Sequence, residues 1–323
     1  MKIDIICNGE LATAADAGRS AEEGGYDAAL FPEIAHDPFL PVALAAQATE
    51  RVELITGIAV AFARNPMSVA VTANDLHRLS GGRFVLGLGS QIKPHITKRF
   101  SMPWSHPAAR MREYVMALRA IWASWEDGTP LDFRGDFYTH TLMTPMFDQG
   151  PSEHGPPKVF VAAVGPAMTR VAGEVADGLM AHGFTTPAYF RDVTMAHLAD
   201  GLAAAGRSRA DVEVTVPLMM VVDGPDREKS LQATRMQLGF YGSTPAYRPV
   251  LEHHGWGDLG DELNRLSKAG DWVAMGEAID DEVLETFAIV ADRDDIAAAV
   301  RERFGGLVDR VQTGVDPDLF RQG

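Results

Sequence analysis

The sequence predicts a closed (β/α)8 barrel, on three observations. Short apolar runs alternate with helical stretches along the whole chain, and that rhythm calls for parallel strands joined by helical crossovers. Eight such runs occur, which favours a closed ring over an open doubly wound sheet. The length, 323 residues with 46% hydrophobic and 23% charged content, suits one α/β barrel with insertions. The whole chain, 1–323, is therefore expected to be one barrel domain, with insertions at roughly 92–157 and 242–281.

Ile3 to Cys7 is the first apolar run, followed by Asn8-Gly9 and a helix from Thr13 to Glu23 that Gly24-Gly25 ends. Tyr26 to Phe31 is strand 2, with the loop Pro32-Glu33-Ile34-Ala35-His36-Asp37 and a helix from Pro38 to Glu50. Leu54 to Val60 is strand 3. Gly57 interrupts it, and a glycine inside a strand pattern signals a bulge or a close backbone approach. Asn65 is placed as N-cap with Pro66 at the first helical position, and Ser80-Gly81-Gly82 ends that helix. Arg83 to Leu88 is strand 4, with Gly89-Ser90-Gln91 at its carboxyl end.

The rhythm then breaks. Ile92 to His106 is a loop, Pro107 to Trp125 a helix, and Glu126 to Pro157 an irregular stretch in which F-R-G-D-F-Y suggests a small hairpin. Lys158 to Val164 is strand 5, and Gly165-Pro166 opens the helix that runs to Val175. Asp177 to Ala181 is strand 6, with His182 in the loop after it and a helix from Ala188 to Ala205. Val212 to Val222 is expected as strand 7, Arg227 to Tyr241 and Asp294 to Phe304 as helices, and Leu307 to Val311 as strand 8.

Composition excludes several classes of function. A net charge of −15 argues against nucleic-acid and anionic-membrane partners. One cysteine, Cys7, excludes an internal disulfide and a cysteine-only metal cluster. The N-terminus lacks the apolar region of a signal peptide and no run approaches a membrane span, so a cytoplasmic enzyme is expected. His253-His254 lack the i, i+4 spacing of a helical metal site, and no metal is expected. Charge is unevenly placed: between Asp75 and Glu113 there is no acidic residue, while Arg78, Arg83, Lys93, Lys98, Arg99, Arg110 and Arg112 fall in that interval. This marks either a local anion site or a solvated cationic face.

T-G-I-A-V-A-F-A-R-N-P followed by L-S-G-G-R-F-V-L-G-L-G-S resembles the luciferase-like flavin and deazaflavin oxidoreductases, and G-L-G-S-Q-I-K-P-H-I-T-K-R-F-S-M-P-W resembles their coenzyme F420 branch. The resemblance covers nearly the whole chain. It implies a non-proline cis peptide at or beside Gly57-Ile58, supporting a deazaflavin ring from behind. It also implies a phosphate site at Gly165-Pro166 in V-A-A-V-G-P, where a helix N-terminus offers free N–H groups. Ser90 and Gln91 would bond the ring edge or ribityl hydroxyls beside Gly89. Lys93 and Arg99, with His95 and Lys98, would meet the phosphate or the oligoglutamate tail.

Candidate proton donors are His36, His95 and His182, each in a loop at a strand's carboxyl end, where barrels build active sites. The resemblance adds Glu33, which matches the acidic half of an acid–histidine pair. Ile34 stands where the histidine is expected, and His36 comes two positions later. Trp104, Phe137, Tyr138, Phe184, Phe240 and Tyr241 either wall an apolar pocket or pack the insertions onto the barrel. The expected function is F420-dependent hydride transfer to or from an apolar small-molecule substrate in a homodimer. The alternatives are an FMN-dependent monooxygenase and a cofactor-binding barrel without turnover.

Overall fold

The computed structural model describes residues 1–321. Eight parallel strands form a ring: β1 (Lys2–Ile6), β2 (Ala28–Phe31), β3 (Glu53–Thr56, resumed at Ala59–Val60), β4 (Phe84–Gly89), β5 (Lys158–Ala163), β6 (Gly178–Ala181), β7 (Glu213–Pro217) and β8 (Arg310–Gln312). Neighbours pair in chain order, and β8 closes on β1 through Lys2↔Arg310 and Ile3↔Val311. The predicted barrel is thus the observed one.

Several elements differ from expectation. The run Val212 to Val222 is two strands. β7 stops at Pro217, the Leu218 amide bonds to the Gln312 carbonyl, and Met220–Val222 then pairs with Ile289–Ala291 as a separate two-stranded sheet. Both pieces are apolar, so the sequence reads as one. Leu307 and Val308 do not begin β8. Their amides cap the helix Ile296–Phe304 by bonding to the Phe304 carbonyl, which delays the strand to Arg310. The helix expected from Ala188 to Ala205 is Pro187–Tyr189 and Met195–Ala204 joined by a wider turn at Phe190–Thr194.

The first insertion holds the helix Pro107–Asp127 and a hairpin pairing Phe133–Arg134 with Thr139–His140. Glu113 anchors that hairpin: its carboxylate accepts the N–H groups of Asp136, Phe137 and Tyr138 at 2.8, 2.7 and 2.6 Å. The second insertion is helical (Arg248–His253, Gly257–Ala269, Trp272–Glu277) and continues past its expected end into Asp281–Phe287. Among the described residues, no helix is long and apolar enough to cross a membrane.

Side chains alternate along each strand. The outward set (Ile3, Leu54, Leu86, Val159, Leu179, Val214) packs under the helices in the main core. The inward set forms three levels. At the amino ends lies a charged level of Lys2, Asp4, Glu53, Lys158, Glu213 and Arg310. Above it Ala28, Leu30, Ile55, Val85, Phe160 and Met180 form a small buried apolar plug. The third level, at the carboxyl ends, is open: Ile6 shares the inward face of Asp4, yet is 53% exposed.

Candidate active site at the carboxyl-terminal mouth

The mouth is shaped by an irregularity in β3. Below it Leu54 and Ile55 pair with Phe84 and Val85; above it Ala59 and Val60 pair with Leu88 and Gly89. The register slips by one residue, which is a bulge. The Gly57–Ile58 peptide at its centre is cis. Across the gap, the Thr56 hydroxyl accepts from the Gly87 amide at 2.9 Å and donates to the Gly87 carbonyl at 2.8 Å.

Glycines make this surface. A Cβ on Gly87 would lie 2.0 Å from the Thr56 carbonyl oxygen, and one on Gly89 would lie 2.6 Å from the Ile58 side chain. The absent side chains leave β3 and β4 lying close, with Ile58 turned toward β4. The result is a floor over the apolar plug from which Gly87 and Gly89 project no side chain. Its shape suits one side of a planar ring.

Beside β4 in the ring, β5 ends at Ala163 and Gly165 caps the helix Pro166–Val175. Pro166 has no N–H, and the next amides, of Ala167 and Met168, have no carbonyl within the helix to bond. A Cβ on Gly165 would meet nothing within 4 Å, so the approach is open. Beside it is a narrow crevice walled by Ala163, Val164, His182, Thr185 and Tyr189 among others. The buried Thr185 hydroxyl has no hydrogen-bond partner. The crevice reaches Val164, next to Gly165, and the free N–H groups of a helix N-terminus fit an anionic group such as a phosphate. The glycine floor and this anion end together fit a flat, tailed, negatively charged cofactor.

The other predicted residues are distributed unevenly. Ser90 and Gln91 stand at the end of β4, with the Ser90 hydroxyl donating to the Gln91 carbonyl at 3.2 Å and Gln91 at φ 58°. Lys93 and His95 are exposed on or beside a wide helical turn, His95–Arg99, which interrupts the stretch expected as a loop. Arg99 reaches back to the Ile34 carbonyl at 2.8 Å, joining the loops after β4 and β2. His36 is exposed on the β2 loop. The buried Glu33 carboxylate is already engaged. It accepts from the Val60 amide and from Arg64 Nη1, both at 2.7 Å, and Arg64 also holds Asp37 at 2.8 Å. These contacts clamp the resumed half of β3 to the β2 loop. His253 and His254 face Asp192 and Thr186 respectively, and among the described residues no group of three or more metal-ligating side chains converges.

Of the three histidines, only His182 is half-buried against the mouth. Its Nδ1 lies 3.0 Å from the Phe184 amide nitrogen and its Nε2 3.1 Å from Tyr247 Oη. The ring stacks on Tyr247 at 4.4 Å and meets the edge of Tyr241 at 4.9 Å. Sequence reasoning missed Tyr247 and Thr185. Nothing in the pattern around T-P-A-Y singles out one tyrosine, and a buried unpartnered hydroxyl is visible only in three dimensions.

Burial pushes the His182 imidazole down to about 4. Its folded value is below that of the unfolded chain, so acid favours unfolding between roughly pH 6.5 and 4, and stability is recovered as pH rises through that window. At pH 4.5 the His182→Phe variant is expected to lose about 2 kcal/mol less than the parent, relative to pH 7.5. Urea unfolding of both proteins at the two pH values measures this, and identical losses would refute it.

Residues 6–310 match the family model described as luciferase-like monooxygenase. The chain is 55% identical over 313 residues to an uncharacterised protein of Mycobacterium tuberculosis, covering 96% of this chain and 92% of that one. It is 27% identical over 309 residues to the 5,10-methylenetetrahydromethanopterin reductase of Archaeoglobus fulgidus, covering 92% and 88%. Its fold is similar to the structure of the coenzyme F420 dependent tetrahydromethanopterin reductase from Methanopyrus kandleri, with a TM-score of 0.80, 22% identity, and 99% and 95% of the two chains covered.

Proposed function

The chain belongs to the luciferase-like monooxygenase family, and on that premise we propose that it is a coenzyme F420-dependent oxidoreductase, moving a hydride between the deazaflavin carbon 5 and an apolar organic substrate. The observation that carries this reading is the glycine floor at the mouth: the bulge at Gly57-Ile58, with Gly87 and Gly89 admitting β3 and β4 at a distance no side chain would allow. A putative coenzyme F420-dependent oxidoreductase of Mycobacterium tuberculosis, 27% identical over 298 residues, and the F420-dependent reductase of Methanopyrus kandleri, similar in fold, support the choice of cofactor.

Each end of the site has a task under this reading. Ile58 and the two glycines would support the ring from behind. Gly165 and the first amides of the helix Pro166–Val175 would receive the phosphate, with Thr185 donating its free hydroxyl. Ser90 and Gln91 lie where ring-edge or ribityl oxygens would need partners. Lys93 and Lys98, exposed on the β4 loop, would offset the charge of an oligoglutamate tail, which FMN lacks. A bound deazaflavin supplies two-electron hydride chemistry, while the protein orients the reacting faces and keeps water away.

Titrating the apo-protein with F420 and with FMN tests the assignment. Expected is saturable F420 binding with a Kd of about 1 μM or tighter, near −8 kcal/mol, and weaker FMN binding. FMN binding without a response to F420 would reverse it in favour of a monooxygenase. F420 binding with no hydride transfer to any of a broad set of carbonyl and alkene substrates would favour a barrel without turnover.

A further inference from the structure

His182 holds Tyr247 in a particular hydrogen-bonding state. A backbone N–H can only donate, so the Phe184 amide fixes a lone pair on His182 Nδ1. The imidazole, buried and short of counter-charge, is neutral at physiological pH. Its one proton therefore sits on Nε2 and is donated to Tyr247 Oη at 3.1 Å. The phenol oxygen is the acceptor in that bond, which leaves the Tyr247 hydrogen free for another partner.

The pair stands at the carboxyl end of β6. His182 follows Gly178 and Met180 on the inward face of β6, so it stands one level above the apolar plug, and Tyr247 lies against it. Tyr241 and Phe184 pack around the pair, shielding it from water. Burial pushes the Tyr247 phenol above its usual value, so it stays protonated at neutral pH. His36 and His95 are exposed to solvent and have no such setting.

We propose that Tyr247, positioned by His182, is the hydrogen-bond donor to the oxygen of the substrate, and that the substrate is an apolar aldehyde or ketone, or the matching alcohol. This rests on the oxidoreductase reading above. In the reducing direction, the carbonyl carbon takes up the hydride carried by the reduced deazaflavin. The C=O π pair moves onto oxygen, and the Tyr247 proton joins it to complete the alcohol. The phenolate oxygen continues to accept from His182 Nε2–H until water returns a proton. Tyr247 thus takes the donor role that sequence reasoning gave to the histidines, and His182 is a positioning residue.

The test uses 4-(dimethylamino)cinnamaldehyde, a dye whose absorption moves to the red when its carbonyl oxygen accepts a hydrogen bond. The parent protein is expected to bind it with a red shift. Tyr247→Phe keeps the ring and the packing, and is expected to bind the dye within about threefold of the parent while losing the shift. His182→Phe is expected to lose most of the shift as well. No binding or no shift in the parent overturns the proposal, as does a shift that survives in Tyr247→Phe. F420 binding by the parent, measured in parallel, keeps the two readings apart. If F420 binds and no shift occurs, Tyr247 alone is refuted. If the Tyr247-dependent shift occurs without F420 binding, the donor stands and the choice of cofactor fails.

Discussion

Replacing Arg310 with methionine is expected to destabilise the protein by about 3–5 kcal/mol and to lower Tm by about 6–10 °C, taking about 2 °C per kcal/mol for a chain of this size. Arg310 is fully buried inside the barrel. It binds Asp4 bidentately at 2.8 and 2.9 Å and reaches Glu53 at 2.5 Å and Glu213 at 3.1 Å. Lys2 and Lys158 complete the level, binding Glu53 at 2.9 Å and Glu213 at 2.6 Å. Three cations meet three carboxylates, and removing the central one leaves Asp4 buried without a partner.

The loss depends on pH, with a sign that can be checked. Burial already pushes the Asp4 carboxyl up to about 6, despite Arg310. Burial acts on Glu213 in the same direction, but Lys158, Lys2 and Arg310 outweigh it and hold that carboxyl at about 2. Without Arg310, Asp4 rises further and can be relieved by taking up a proton. A group raised in the folded state is stabilised by acid, so the deficit of Arg310→Met is expected to be larger at pH 8 than at pH 6. The double variant Asp4→Leu, Arg310→Met is expected to recover most of the loss, since no uncompensated charge remains fully buried. Urea unfolding at both pH values measures all three. A single variant within 1 kcal/mol of the parent at pH 8 would mean that water reaches this level of the barrel.

That charged level was invisible in the sequence for a definite reason. Asp4 and Arg310 are 306 positions apart, and nothing local to either run announces the other. The available signal was weak: each of Lys2, Asp4, Glu53, Lys158, Glu213 and Arg310 sits at or near one end of an apolar run, where a charge looks like an ordinary solvent-facing boundary. The barrel itself was legible because alternation of strand and helix is written locally, residue by residue. The cis Gly57–Ile58 peptide was legible only through resemblance, since a glycine in a strand also fits a plain bulge. Strand 7 was overextended because Pro217 was read as part of an apolar run, and the partner that takes over at Met220 is Ile289–Ala291, far along the chain. At the mouth, Gly89, Ser90, Gly165 and His182 could be found as loop residues at strand ends. Tyr247 could not, because it comes from an insertion whose path over the barrel no short pattern encodes.

The proposed ring slot makes a second large prediction, at Ile6. This side chain lies on the inward face of β1 above Asp4, two strands along the ring from the bulged β3, and more than half of it is exposed. An exposed aliphatic side chain facing into a barrel has open space in front of it, so enlarging it fills that space without overpacking the core. Ile6→Trp is therefore expected to fold like the parent, with Tm within about 2 °C, or roughly 1 kcal/mol, and to weaken F420 binding by about 100-fold, equivalent to about 2.7 kcal/mol. Ile6→Ala enlarges the slot instead, and is expected to bind within about fivefold of the parent, the cost of a few lost contacts. Fluorescence titration of the deazaflavin into the three proteins measures both effects. If the tryptophan variant binds F420 as the parent does, the ring does not lie on the glycine floor, and the site must be sought on another part of the mouth.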